Sequence, residues 1–149
     1  MKKWKVYFLS ILITLLVGLI AGFLTMNSMG IYSTINRPPL SPPSWLFPVV
    51  WTILYTLMGI SVARYIIKTN IVPRIYVLQL IVNFLWPFIF FNLEAYLLSF
   101  IWLLLLIVLA ILMIVEFYRV DKLAGILQIP YLIWLLFAAY LNFAIYLLN

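Results

Sequence analysis

The hydrophobic positions of this chain run on without the alternation of a strand or the regular polar face of a soluble helix. Five stretches, Val6–Met26, Trp45–Ile67, Ile75–Asn92, Tyr96–Tyr118 and Leu123–Leu148, are each nearly continuous in apolar residues. A hydrocarbon core of about 30 Å takes about 20 helical residues to cross, so each stretch is read as a span. Lipid offers backbone groups no partner, which leaves helices and closed barrels as spanning structures, and unbroken runs argue against a barrel. The pattern predicts an all-α integral membrane protein, a single domain over residues 1–149 built as a bundle of five transmembrane helices. Three of the four links are short, so successive helices are antiparallel neighbours.

Charge then orients the bundle. With five spans, Lys2, Lys3, Lys5, Arg64, Lys68, Arg74, Arg119 and Lys122 fall on one side and Arg37 alone on the other. By the positive-inside rule the N-terminus is expected in the cytoplasm and the C-terminus outside. That bias accounts for the net charge of +6 without nucleic acid as a partner. The lysines followed by an apolar run resemble a signal peptide, but the run is too long and no small-residue cleavage site follows, so the first stretch is expected to stay as a span. A prokaryotic plasma membrane is the expected location.

Composition removes several chemistries. The chain is 68% hydrophobic and 8% charged, with no cysteine and no histidine. Thiol catalysis, disulfides, the usual zinc sites and a histidine-ligated haem iron are not to be expected. No metal site and no catalytic residues are assigned, because neither a histidine base nor a carboxylate pair lies at depth. Glu94 falls in a turn, and Glu116 and Asp121 sit at span ends.

The remaining signals are tryptophans, tyrosines, amides and prolines at helical spacing. Trp51 and Tyr55 share a face of the second span. In the third, Gln79, Asn83 and Pro87 form a row beside Trp86 and Phe90, and Pro87 cannot donate to the carbonyl of Asn83, which predicts a kink. In the fifth, Trp134, Ala138 and Asn142 form a row of their own. At a rise of about 1.5 Å per residue, Trp51, Tyr55, Asn83, Pro87, Ala138 and Asn142 fall roughly 8 to 15 Å below the same membrane face, and Trp134 deeper. Matching depth on three helices predicts a pocket; core packing and helix–helix bonding by the two asparagines are the plainer alternatives. Above it lies the one long link, Asn27–Ser44. The segment Asn36–Trp51 holds five of the eight prolines, so a stiff lid is expected, with Arg37, Pro42, Pro43 and Trp45 as its candidate residues and Ser44 capping the next helix. In the first span, Ser10, Thr14, Gly18 and Gly22 make a small-residue stripe that serves either a homodimer face or packing within the bundle.

Three blocks carry a family resemblance. They are Pro42-Pro43-x-Trp45 with Pro48-Val49-Val50-Trp51-x-x-Leu54-Tyr55-x-x-Met58-Gly59; Gln79-x-x-x-Asn83-x-x-Trp86-x-x-x-Phe90-Phe91; and Pro130-Tyr131-Leu132-x-Trp134-x-x-Phe137-Ala138-x-x-Leu141-Asn142. In this order, on these spans, they resemble the TspO/translocator protein family of tryptophan-rich sensory proteins, related to the peripheral benzodiazepine receptor. The resemblance implies a five-helix bundle, often dimeric, with a pocket for porphyrins, haem and related hydrophobic ligands under the first loop. It implies ligand contacts at the positions matching Trp51, Asn83, Trp86, Pro87, Trp134 and Ala138. Two departures stand out. Leu40 occupies a place where the family commonly has a tryptophan, and no basic residue follows Tyr146, so the steroid-recognition pattern of animal members is not carried over.

The expected function is a membrane receptor, sensor or carrier for a porphyrin-type ligand, in contact with the lipid bilayer and with no obligatory cofactor. Without histidine a metal-free, protoporphyrin-like tetrapyrrole fits better than tightly ligated haem. The alternatives are an oxidative or photo-oxidative porphyrin-degrading enzyme, which rests on the resemblance alone, and a structural or regulatory bundle without a small ligand.

Overall fold

A computed structural model describes all residues, Met1–Asn149. It has no strand. The helices are α1 (Lys3–Thr25), α2 (Leu46–Thr69), α3 (Arg74–Pro87), α4 (Tyr96–Val120), α5 (Lys122–Ile126) and α6 (Ile129–Leu148). Five segments are long and apolar enough to cross a bilayer: Lys3–Thr25, Leu46–Thr69, Arg74–Asn92, Tyr96–Val120 and Lys122–Leu148. Going round the bundle, α1 packs on α2 and α3, α3 on α4, and α4 on α6. Helix α2 meets the last span mainly through α5 and stands apart from α6, so the ring is loosest between α2 and α6.

Proline sets two features of the spans. After Pro87, the third span changes from an α-helix to a π-helical turn over Phe88–Asn92. The missing proline N–H leaves the Asn83 carbonyl without its usual donor, and the chain shifts register as well as direction. The fifth span is broken, where an unbroken helix was expected. Leu127 bonds back to Leu123 and Gln128 to Gly125, and α6 then starts afresh with Pro130 in its first turn. Pro130 cannot donate to Ile126, and its ring would crowd that carbonyl. A further correction concerns Ser44: Trp45 is the N-cap of α2, with no side-chain cap, and Ser44 contributes only its carbonyl, accepting from the N–H of Phe47 at 3.4 Å.

The small-residue stripe of α1 is used inside the chain. Ser10 and Thr14 are buried, and Thr14 Oγ donates to the Ser10 carbonyl (2.7 Å) while its oxygen lies 2.5 Å from the Tyr76 hydroxyl of α3. A Cβ on Gly18 would stand 2.2 Å from the Tyr55 ring, and one on Gly59 would stand 2.5 Å from the Ile11 Cα. Close backbone approach replaces the hydrophobic drive that lipid does not provide.

The end of the bundle that carries eight of the nine basic residues is clamped by Asp121. Its carboxylate accepts from Arg64 Nε at 2.5 Å and from Lys68 Nζ at 2.9 Å, and it caps α5 by accepting from the Ala124 N–H at 3.2 Å. Ser61 donates to the Ala124 carbonyl beside it. Asp121 is buried, and the Arg64 guanidinium above all, with Lys68, holds its carboxyl down to about 2.

Two outcomes follow from this packing. Gly59→Ala, which forces a methyl against the α1 backbone, is expected to lower stability by about 2 kcal/mol, whereas Gly22→Ala is expected to be neutral or stabilising, both read by thermal unfolding in detergent. The second concerns pH. A carboxyl at about 2 in the fold and 3.8 when free favours the folded chain when ionised. The clamp therefore contributes fully above pH of about 4 and is lost as pH falls towards 2. The melting-temperature gap between wild type and Asp121→Asn should be constant near neutrality and close through that acid window.

Candidate functional site

Towards the loop end, the gap between α2 and α6 widens into a cavity of about 810 Å3, bounded by all the long helices and the loop. Trp51, Tyr55, Asn83, Trp86, Pro87, Trp134, Ala138 and Asn142 all line it. The depth match read from the sequence thus corresponds to a real concavity, with no charged residue in its wall.

Its faces are aromatic. Trp51 lies against Tyr55 (ring centroids 5.3 Å) and edge-on to Tyr131 (6.3 Å). Phe47 bridges Tyr32 of the loop (5.2 Å) to Trp134 of α6 (6.0 Å). Opposite them Trp86 stacks on Phe90 at 5.0 Å, with Phe91 edge-on. The π-helical turn after Pro87 is what brings Phe90 and Phe91 to the same wall as Trp86.

The floor is a closed polar layer. Tyr55 donates to Asn83 Oδ1 (3.1 Å), Asn83 Nδ2 donates to the Tyr131 hydroxyl (2.8 Å), and Tyr131 donates to Gln79 Oε1 (2.8 Å). Gln79 Nε2 finishes the chain on the Tyr76 carbonyl at 3.1 Å. Asn142 is equally committed: its Oδ1 accepts from the Trp86 indole (3.1 Å) and its Nδ2 donates to the Tyr96 carbonyl (2.9 Å). Both asparagines bond across helices, as the plainer expectation had it, while still facing the cavity. The Trp86 and Trp102 indoles have protein acceptors; those of Trp51 and Trp134 have none. The wall's unspent donors are therefore chiefly those two N–H groups.

None of the four lid candidates touches the cavity. The Arg37 guanidinium lies 4.5 Å from the Tyr32 ring, and the Pro42 carbonyl accepts from the Tyr32 hydroxyl at 2.7 Å. Pro43 accepts from the Leu46 N–H at the start of α2, and Trp45 is exposed. Arg37 and Pro42 brace Tyr32, and Tyr32 forms the wall. Leu40 has φ of 69° and is 83% exposed, so the position that departs from the family pattern points away from the cavity. Sequence reasoning missed Tyr32, Phe47 and Tyr131 as site residues. Tyr131 stands inside the third motif, three residues past the break at Gln128, and its pairing with Asn83 is visible only in three dimensions.

Comparison with known proteins agrees with this geometry. The model of the TspO/MBR family matches residues 10–148. The tryptophan-rich protein TspO of Archaeoglobus fulgidus is 42% identical over 147 residues, covering 94% of each chain. That of Chlorobaculum tepidum is 38% identical over 124 residues, covering 79% of this chain and 78% of its own. The translocator protein of Ovis aries is 35% identical over 121 residues, covering 75% of this chain and 70% of its own. With the five-span bundle, the aromatic cavity and these matches together, the chain belongs to the TspO/MBR family.

Proposed function

We propose that this membrane protein is a receptor, sensor or carrier whose cavity takes a flat hydrophobic aromatic ligand of the porphyrin type. The observation that carries the reading is the cavity itself. Its volume of about 810 Å3 lies within the range of small-molecule sites, and aromatic faces on opposite helices can hold a planar ring system between them. Inside such a wall a ligand gains by area and stacking, and the unspent Trp51 and Trp134 N–H groups can meet acceptors on its edge.

The absence of charge in the wall favours a ligand whose body is neutral. Acidic substituents would have to stay at the loop end, where Arg37 stands one ring away from the cavity behind Tyr32. A metal-free macrocycle agrees with a chain that has no histidine.

The test is equilibrium titration of the purified protein with protoporphyrin, following tryptophan quenching and thermal shift. Saturating ligand at a hundred times Kd should stabilise the fold by about 2.7 kcal/mol. Trp51→Ala and Trp134→Ala should each weaken binding about tenfold while leaving the ligand-free fold intact. Unchanged affinity in the double variant would remove the cavity from the reading. No saturable stabilisation by any tetrapyrrole would favour a purely structural bundle, and conversion of bound porphyrin to a new chromophore would favour the degrading enzyme.

A further inference from the structure

Helices α1 and α2 are pressed together over half their length and then part. At two levels the separation is at its minimum: Ile11 with Gly59, and Gly18 with Tyr55. One turn beyond Gly18, a Cβ on Gly22 would meet nothing within 4 Å. The partner face says the same. Thr52 lies two turns before Gly59 on the same stripe of α2, yet Gly59 is buried against α1 and Thr52 is exposed, its hydroxyl turned back to the Pro48 carbonyl at 2.7 Å. The helices therefore splay towards the loop end and leave a slot between them.

This slot is continuous with the cavity. Gly22, Leu19 and Phe23 on one side and Pro48 and Thr52 on the other all belong to the cavity wall, with Trp51 behind them. Leu19 and Phe23 are also 67% and 71% exposed on the outer surface of the bundle. All five residues lie within segments that cross the bilayer. Gly22 sits about 5 Å and Thr52 about 9 Å inside the ends of their helices, so the opening faces hydrocarbon, not water.

The loop, by contrast, is tied down. The Asn36 N–H donates to Asn149 Oδ1 (3.1 Å), Asn149 Nδ2 donates back to the Asn36 carbonyl (2.8 Å), and Asn36 Nδ2 donates to the Leu148 carbonyl (3.3 Å). Tyr140 donates to the Pro39 carbonyl at 2.9 Å and Tyr32 to the Pro42 carbonyl at 2.7 Å. Lifting the loop breaks the four bonds that tie it to Tyr140, Leu148 and Asn149, whereas passage through the slot breaks none of them.

We propose that the slot beside Gly22 is a lateral gate, through which a flat hydrophobic ligand dissolved in the bilayer passes directly into and out of the cavity while the loop stays closed. The proposal rests on the ligand-binding reading above and adds to it the source of the ligand and its route. The slot has apolar rims, a glycine in place of a side chain, and a tryptophan face at its inner end. The same opening would exclude a water-solvated polar ligand, because reaching it requires crossing hydrocarbon.

Gly22→Leu tests the gate, since a Cβ at that position meets nothing within 4 Å and the larger side chain is directed into open space. Thr52→Leu fills it from the opposite wall and serves if the first variant folds poorly. Two measurements are made in vesicles. In the first, without ligand, phosphatidylcholine brominated on its acyl chains is the quencher, and the Trp51 signal is the difference between wild type and Trp51→Phe. Quenching of Trp51 that falls at least about twofold in Gly22→Leu supports an open slot, and quenching unchanged by that variant overturns it. In the second, uptake of protoporphyrin from preloaded vesicles is followed by stopped flow. Gly22→Leu should slow uptake and release about tenfold each, while Tyr140→Phe combined with Asn149→Ala leaves both within about twofold. Faster uptake in the loop variant with no change in Gly22→Leu would assign exchange to the loop and overturn the gate. Failure of wild type to bind protoporphyrin at equilibrium sinks the ligand reading itself; normal equilibrium binding with unaltered rates in Gly22→Leu sinks the gate alone.

Discussion

Every polar group at depth in this bundle has to find its partner inside the protein, because hydrocarbon provides none. The layer formed by Tyr55, Asn83, Tyr131 and Gln79 meets that requirement with two amides from the third span and one hydroxyl from each of the second and fifth, arranged so that each donor has an acceptor. Thr14 and Tyr76 extend the same bonding to α1. The layer fixes the rotation of four spans about their axes. Because Tyr55 and Tyr131 hold Trp51 between them, it also fixes the floor and one wall of the cavity. On its far side the interior is filled by Met58, Met113 and Phe117, all fully buried. A cavity can persist above the layer because the helices below it are already locked.

What fills one half and empties the other is a distribution of small residues and prolines. Gly18 and Gly59 draw α1 and α2 into backbone contact, and Gly125 brings the α4–α5 corner against Tyr118, all below or at the level of the layer. Pro48 enters the first turn of α2, and Pro87 and Pro130 act on the third and fifth spans. Pro87 in particular trades an α-helical turn for a π-helical one, which carries Phe90 and Phe91 round to the cavity. Glycines tighten the basic end; Pro48, Pro87 and the aromatic rings line the cavity at the loop end.

The spans were legible in the sequence because hydrophobic length is a local property, and their ends lie within a few residues of the observed ones. The cavity residues were legible because four-residue spacing and counted depth are also local. The break at Leu127–Gln128 was not read, although Pro130 marked it, since the apolar run continues across it. The lid was misread in its detail for a different reason. A loop carries no period, so proline content indicates stiffness but not direction, and it is Tyr32, ten residues before Pro42, that reaches the wall. The stripe at Gly18 and Gly22 illustrates the limit best: its two glycines look alike in sequence, yet one is filled by Tyr55 and the other faces empty space.

That difference between two glycines one turn apart has a consequence for how binding and access are divided. On the proposed reading, binding needs the rings and the polar floor that positions them, which hang on α2, α3 and α6 and are cross-linked by hydrogen bonds. Access, on the lateral route, needs only the separation of α1 from α2 above Gly18, where no hydrogen bond joins the two helices. The rings held over the floor would then set affinity and the slot would set rate, with few residues shared between them. Such a division suits a ligand that partitions strongly into lipid, since the bilayer already concentrates it at the level of the opening. The protein then has only to select a planar aromatic body from among flexible acyl chains, and opposed tryptophan faces around a rigid polar floor are suited to that selection.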